Sequence, residues 1–306
     1  SFSGGISYSD SILSIFNPVT LSIDRSLVSV KGSADYNKNI LDFELDLTEA
    51  SSSLINFFWS DTLSNGKATG SMKIGGSFEK TSVDIDLSIS DFEYDEISLS
   101  SFELNAQLED LNNFRTGIVK TKFSEGLWND FIIENGNGQF SLNGNEIMIS
   151  SFELRNNDDF MQFNGKFGAD SILIVDKFQL AYQNHFLINP SQLHLKLSNN
   201  KLEMSPFELH VDDGVIEGYF ETSPFVGKIK FSNVTSDILP LLKIKGSENI
   251  NGSFFGEINF PKDTNLDMVN FDFSVKEGSL VDQPFNNLRV DAFYQDVVFF
   301  PIPFEN

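Results

Sequence analysis

Three histidines, His185, His194 and His210, are the only imidazoles in the chain, and cysteine is absent. Without Cys there is no thiolate zinc site, no thiol nucleophile and no disulfide framework. His194 and His210 fall on the polar phase of alternating segments, which reads as exposed side chains rather than metal ligands. No serine sits in a Gly-x-Ser-x-Gly elbow, so a Ser/His/Asp set lacks motif support. The pairs Asp84/Asp86 and Asp42/Glu44 are two residues apart and point to one side of a strand. That is the pattern of a solvated face more than of an acid and a base poised for catalysis. The run Asp35-Tyr36-Asn37-Lys38-Asn39 opens like a calcium loop, but its sixth position is Ile40 and its twelfth is Asp46 within a strand-like segment. The calcium loop needs Gly and a bidentate Glu there, so a hairpin turn is the better reading. Asn233-Val234-Thr235 and Asn251-Gly252-Ser253 fit the glycosylation acceptor pattern, a match short enough to arise by chance. Gly70, Gly75 and Gly76 do not open a helix after a strand, so no phosphate loop is implied. These residues predict no enzyme, no metal and no cofactor.

The elements that carry them are set by composition and period. The chain has 306 residues, 44 Asp+Glu against 21 Lys+Arg, a formal charge of −23, and 32 Phe beside 2 Trp and 6 Tyr. Nucleic acid is excluded as a partner, because a phosphate backbone calls for a basic stripe. Side-on docking to anionic lipid is disfavoured for the same reason. No run approaches the roughly 18 uninterrupted apolar residues of a membrane helix. The absence of Cys fits an oxidising compartment, and a start at Ser1 without a leader predicts a processed or excised piece of a longer protein. Disorder is not expected, since 40% of the residues are apolar and they are arranged with a period.

That period is two. Leu41, Phe43, Leu45 and Leu47 alternate with acids, as do Val83, Ile85, Leu87 and Ile89. Leu193, Leu195 and Leu197 repeat the pattern, and so do Val269, Phe271, Phe273 and Val275. Strict alternation predicts antiparallel strands with one buried and one wet face. Hairpin signals stand at Asn135-Gly136-Asn137-Gly138, Asn143-Gly144-Asn145, Ser198-Asn199-Asn200 and Asp212-Asp213-Gly214. Two short helices are expected, one from a Thr48 cap through Ala50 to Phe58, the other from Thr235 or Ser236 through Leu242 around Pro240. A third is possible over Ser11 to Phe16.

The chain also repeats. Ile97-Ser98-Leu99-Ser100-Ser101-Phe102-Glu103-Leu104 returns at Ile147 to Leu154, and again, with Ser205-Pro206 in the middle, at Leu202 to Leu209. At each doubled polar pair the apolar phase slips by one residue. One extra residue makes a bulge, which bends a strand while returning its apolar side chains to the same side. Two short strands joined by a Ser-Ser turn are the alternative. A larger period matches the first helix, Gly70-Ser71 and Val83 to Ile89 with the second helix, Gly252-Ser253 and Phe271 to Val275, a sign of a quasi-one-dimensional array.

Three things can hide the apolar face: a second sheet, closure into a barrel, or a filling that is not protein. Tandem sandwiches predict a linker that is not visible, and a membrane barrel predicts Trp/Tyr girdles that the composition lacks. The Phe surplus favours a filled groove, lined by bulky side chains without polar handles, although a plain Phe-rich core would give the same count.

On these repeating units the chain resembles the TamB/AsmA-like superfamily of repeating β-groove proteins, relatives in architecture of the chorein-type bridge lipid transporters. The unit is an alternating strand (Leu41 to Leu47), a short helix (Ala50 to Phe58), a Gly-Ser strand (Gly66 to Phe78), an alternating strand (Val83 to Ile89) and the Ser-Ser-Phe-Glu-Leu strand. The resemblance implies an all-β, elongated, twisted, U-shaped antiparallel groove of roughly twenty strands, on the order of 100 Å long at about 4.8 Å per strand. It would form one continuous segment over residues 1–306, with repeat units near 41–108, 109–230 and 231–306. It also implies a periplasmic location in a double-membrane bacterium, movement of phospholipid between inner and outer membranes, and a link to outer-membrane protein assembly. The family's N-terminal anchor and C-terminal domain are not recognisable, so an internal or truncated segment is expected, meeting membranes or membrane-anchored partners through further segments. Acyl chains would lie on a lining of Leu41, Phe43, Leu45, Val83, Ile85, Leu87, Ile97, Leu99, Phe102, Leu104, Ile147, Ile149, Phe152, Leu154, Leu193, Leu195, Phe207, Leu209, Phe271 and Phe273. A structural or adhesive rod, or tandem sandwiches acting through the outer surface, is the competing expectation.

Overall fold

The computed structural model describes residues 2–23, 26–51, 65–95, 97–110, 116–128, 131–168, 170–182, 185–198, 201–222, 225–236, 250–260, 269–280, 283–295 and 298–301. It divides into two compact units, Ser1–Asn157 and Asp158–Asn306. Almost every described residue is in a strand. The chain is all-β, as the alternation predicts.

The first unit holds β1 (Phe2–Ser9), β2 (Ile12–Ile23), β3 (Ser26–Asp35), β4 (Ile40–Ser51), β5 (Asn65–Gly76), β6 (Thr81–Tyr94), β7 (Ile97–Leu108), β8 (Thr116–Trp128), β9 (Phe131–Asn143) and β10 (Glu146–Asn156). Each pairs antiparallel with the next, an uninterrupted meander. The turns follow from local chemistry. Asp10 and Ser11, both at positive φ, connect β1 to β2 as a two-residue hairpin. Asp35 Oδ1 accepts from the backbone N–H of Asn37 (3.0 Å) and of Lys38 (2.9 Å), so the calcium-like run is an Asx-stabilised hairpin.

The second unit holds β11 (Asp159–Phe167), β12 (Ile172–Tyr182), β13 (His185–Ile188), β14 (Leu193–Ser198), β15 (Lys201–Val211), β16 (Gly214–Thr222), β17 (Phe225–Thr235), β18 (Ile250–Phe260), β19 (Val269–Leu280), β20 (Gln283–Gln295) and β21 (Val298–Pro301). β13 and β14 act as one broken strand, both pairing with β12 on one side and β15 on the other. The break is held by Asn189, which is buried and whose Nδ2 donates to the carbonyl of Ser191 at 2.8 Å. From β15 onward the antiparallel meander resumes.

Three expectations need correction or restriction. Ser11 to Phe16 is not helical: Ile12 to Phe16 begin β2. Ile12, Leu13, Ile15 and Phe16 mimic helical spacing, but Leu13 and Ile15 lie opposite Ala34 and Gly32 on β3, and the ladder prevails. Asn135-Gly136-Asn137-Gly138 is not a turn but the middle of β9, whereas Gly144 and Asp212 do turn the chain at positive φ. Thr48 to Ser51 belong to β4, not to a helix, and Thr235 ends β17 with Ser236 just after it; residues 52–58 and 237–242 of the two expected helices, and Asn199-Asn200, lie outside the described residues.

Candidate functional site

Register gathers most of the apolar side chains into rows that cross the sheet. In the first unit Val19, Val30, Leu45, Met72, Ile85, Ala106, Val119, Phe140 and Ile149 stand directly opposite one another in succession from β2 to β10. A parallel row runs from Gly32 and Phe43 through Ile74, Val83, Leu108, Gly117 and Leu142 to Ile147. Leu47, Gly70, Leu87, Leu104, Thr121, Gly138 and Phe152 form a third; Ala50, Ala68, Ile89, Phe102, Phe123, Gly136 and Leu154 form a fourth. Leu41 lies further out, between Ala34 and Gly76. Twelve of the sequence-predicted residues thus share one face, because a strand's side chains alternate with period two.

Between these rows lie the polar ones. Glu44 is flanked by Lys31 at 2.7 Å and Lys73 at 3.9 Å. The hydrogen bond from Lys31 holds the Glu44 carboxyl below the usual carboxylate range and raises the lysine. A hollow of about 430 Å³ opens on this face among Lys73, Asp84, Asp86, Asn105, Gln107 and Lys120. It is larger than the crease hollow of the apolar face described below, yet its charged and amide side chains are exposed, as expected of the wet face.

A crease crosses the apolar face. On β6 and β7, Ser90 faces Ser101 and Phe92 faces Leu99, so Asp91 and Ser100 are skipped together. Ser100 and Glu125 are skipped between β7 and β8, then Glu125 and Glu134 between β8 and β9; the bulge at Ser150 on β10 stands apart from this line, opposite Phe140 and Gln139. Asp91 and Glu125 adopt positive φ at this line. The slip brings Phe92, Leu99 and Ile133 back to the apolar side beyond the crease, with Ile97 and Trp128 paired at the strand ends. Residues from both sides of the crease surround one hollow of about 230 Å³: Phe92, Ile97, Leu99, Trp128 and Ile133 from beyond it, Phe102, Phe123, Phe152 and Leu154 from before it. The sheet therefore folds over its apolar side here, along the line where opposed residues drop out of the ladder in consecutive strands.

The hollow unites Ile97, Leu99, Phe102, Phe152 and Leu154 from the sequence-predicted set. Phe92, Phe123, Trp128 and Ile133 lie outside that set. For three of them the signal is the same doubled polar pair: Ser90-Asp91 before Phe92, Ser124-Glu125 after Phe123, Glu134-Asn135 after Ile133.

In the second unit Leu193 faces Val175, Leu195 lies between Leu173 and Met204, and Leu209 faces Ile216. Phe207 faces Gly218 and Phe273 faces Gly256; the backbone of Phe271 is opposite Ile258. The repeat's third slip is present, since two residues of β15, Ser205 and Pro206, oppose Tyr219 alone. His185 Nδ1 lies 2.7 Å from Asp212 Oδ2, His210 Nε2 lies 2.6 Å from Glu208 Oε1, and His194 is exposed. Among the described residues no group of three or more His, Asp or Glu could hold a metal ion.

Substantial contact between described strands within each unit runs only between ladder partners. The described strands pair into one antiparallel sheet, so among the described residues no second sheet covers the apolar rows. This defines the class, an all-β meander with a one-sided apolar groove. Residues 1–164, more than half of the 306, match the family described as TamB, N-terminal domain, and the chain belongs to the TamB family, a family of bacterial envelope proteins. No curated protein and no solved structure matches the chain.

Proposed function

We propose that the chain is a periplasmic lipid-conducting groove of a double-membrane bacterium. Its apolar rows hold phospholipid acyl chains in passage between inner and outer membranes, with membrane-anchored proteins as partners. A contribution to outer-membrane protein assembly fits the same setting. The observation that carries the reading is the set of apolar rows gathered on one face of a single-layered sheet. Covering such surface stabilises by roughly 25 cal/mol per Å², so a filling is strongly favoured. Lipid tails satisfy a lining of Phe, Leu, Ile and Val, which offers no hydrogen bonds.

The test is lipid transfer between donor and acceptor vesicles, together with native mass spectrometry of the purified chain for bound phospholipid. Phe102→Asp, Phe152→Asp and Phe207→Asp each place a charge among apolar rows, and each should reduce transfer at least tenfold while circular dichroism still reports strands. Transfer that survives all three, from a chain that carries no lipid, would exclude the groove as the path and leave the outer surface as the working one.

A further inference from the structure

The two units differ in how their large apolar side chains are placed. In the second, Phe207 and Phe231 are 8% and 6% exposed and share one core with Val211 and Val234, both 0% exposed. In the first, the rings of Phe92, Phe102, Phe123 and Phe152 stay half-exposed and step across the strands with centroid separations of 5.2, 5.5 and 6.0 Å. They form one wall of the crease hollow, a strip running across β6 to β10, roughly 19 Å at about 4.8 Å per strand.

We propose that acyl chains rest at one preferred place, the crease hollow of the first unit, rather than equally at every point of the apolar face. The proposal rests on the acyl-chain reading above and sharpens it. The occupant follows from the lining, whose one hydrogen-bonding side-chain group is the indole of Trp128. A peptide laid there would leave its backbone N–H and C=O groups unpaired, at a cost that hydrocarbon does not incur. Size points the same way. A cavity of roughly 150 Å³ lined by Leu, Ile and Phe admits benzene, so one of about 230 Å³ accommodates a segment of about nine carbons. A second copy of the chain would need on the order of 800 Å² per partner, well beyond what the hollow presents.

Trp128 supplies the readout. In the full chain carrying Trp59→Phe it is the sole tryptophan, and bromine on a neighbouring acyl chain quenches indole fluorescence on contact. Two probes are used, stearic acid brominated at mid-chain and vesicles of phosphatidylcholine carrying the same brominated chain. Saturable quenching by both is expected, because the hollow touches the chain and not the head group; quenching by only one of them overturns a site for the chain alone. Ile97→Phe fills the hollow and should weaken the apparent affinity roughly tenfold, whereas Met72→Phe, on the same face away from the crease, should leave it within about twofold. Phe102→Tyr, which adds only a hydroxyl, should weaken it in the same direction and guards against misfolding of the larger substitution. Equal effects of Ile97→Phe and Met72→Phe overturn the preferred site while leaving acyl binding intact. Absence of quenching by either probe overturns the acyl reading as well.

Discussion

At the scale of residues, the pairing of glycine with phenylalanine across strands explains much of the odd composition. Gly32 faces Phe43, Gly138 faces Phe152, Gly218 faces Phe207, Gly256 faces Phe273 and Gly278 faces Phe285. A bare backbone on one strand leaves room for a ring from the next, an arrangement that fixes register as well as filling the face. Gly32, like Gly256, is demanding in conformation as well as in space. It sits at φ +137°, and an added Cβ would lie 2.1 Å from the carbonyl oxygen of Asp42 and 2.9 Å from the ring of Phe43. Gly32→Ala should therefore cost about 2 kcal/mol, read as a lower urea midpoint at unchanged slope. Gly75→Ala, whose Cβ would meet nothing closer than 3.8 Å, should change stability by less than about 0.5 kcal/mol. Equal losses at both positions would remove the steric account. The phase of each phenylalanine was legible in the sequence, but its glycine partner was not. Gly136 and Gly138 read locally as turn residues, and only the register shows them opposite Phe123 and Phe152, with the rings of Phe123 and Phe140 in the space beside them.

At the scale of elements, the crease is the feature that separates a flat alternating sheet from one that encloses space. One of its slips was legible in the sequence, at Ser100-Ser101, and the same signature marks the separate bulges at Ser150-Ser151 on β10 and Ser205-Pro206 on β15. The slips at Asp91, Glu125 and Glu134 carry the same signature of two consecutive polar residues, without the repeated Phe-Glu-Leu that marks the others. What no single strand could show is that consecutive strands skip at matching positions, so that the bulges line up. Alignment also predicts how deletions behave. On β10 the skipped Ser150 has no counterpart on β9, and removing it leaves Ile149, Ser151 and Phe152 in phase with Phe140, Gln139 and Gly138. On β7 the skipped Ser100 is matched by Asp91 on one side and Glu125 on the other. Deleting Ser100 therefore strands two neighbours and should cost on the order of 2 kcal/mol more than deleting Ser150. Urea unfolding of the two deletions decides the matter. A Ser150 deletion as damaging as that of Ser100 would mean that the crease is not set by matched skips.

At the scale of the whole molecule, charge opposes the fold that the apolar rows favour. If all 21 Lys and Arg were paired, 23 of the 44 acids would still lack a cation. Ion pairs such as Lys31 with Glu44 at 2.7 Å and Lys230 with Glu217 at 2.7 Å are surface pairs, each worth little in water. Repulsion among the surplus acids should therefore outweigh them at neutral pH, where net charge far from zero destabilises the compact state. Two consequences separate the opposing effects. Raising salt at pH 7 shortens the Debye length from about 30 Å at 0.01 M to about 3 Å at 1 M, screening repulsion and pairs together. The thermal midpoint should rise, since repulsion is the stronger of the two; a fall would show that the pairs dominate. Lowering the pH acts in two stages. Down to about pH 5, titration of the surplus acids relieves repulsion and the midpoint should climb. Further down, the paired carboxyls begin to matter. Glu44 is held low by the hydrogen bond from Lys31, Glu257 by those from Asn259 and Lys228, and Asp35 by the backbone N–H of Lys38. A carboxyl with a depressed folded pKa contributes stability above its unfolded value, near 4, and that contribution disappears as pH drops through the folded pKa. The midpoint should pass through a maximum between about pH 4 and 5 and decline below it, measured by circular dichroism at fixed ionic strength. A profile that falls steadily from pH 7 would place the stabilising electrostatics in the ion pairs after all, and leave the acidic surplus without an energetic role in the fold.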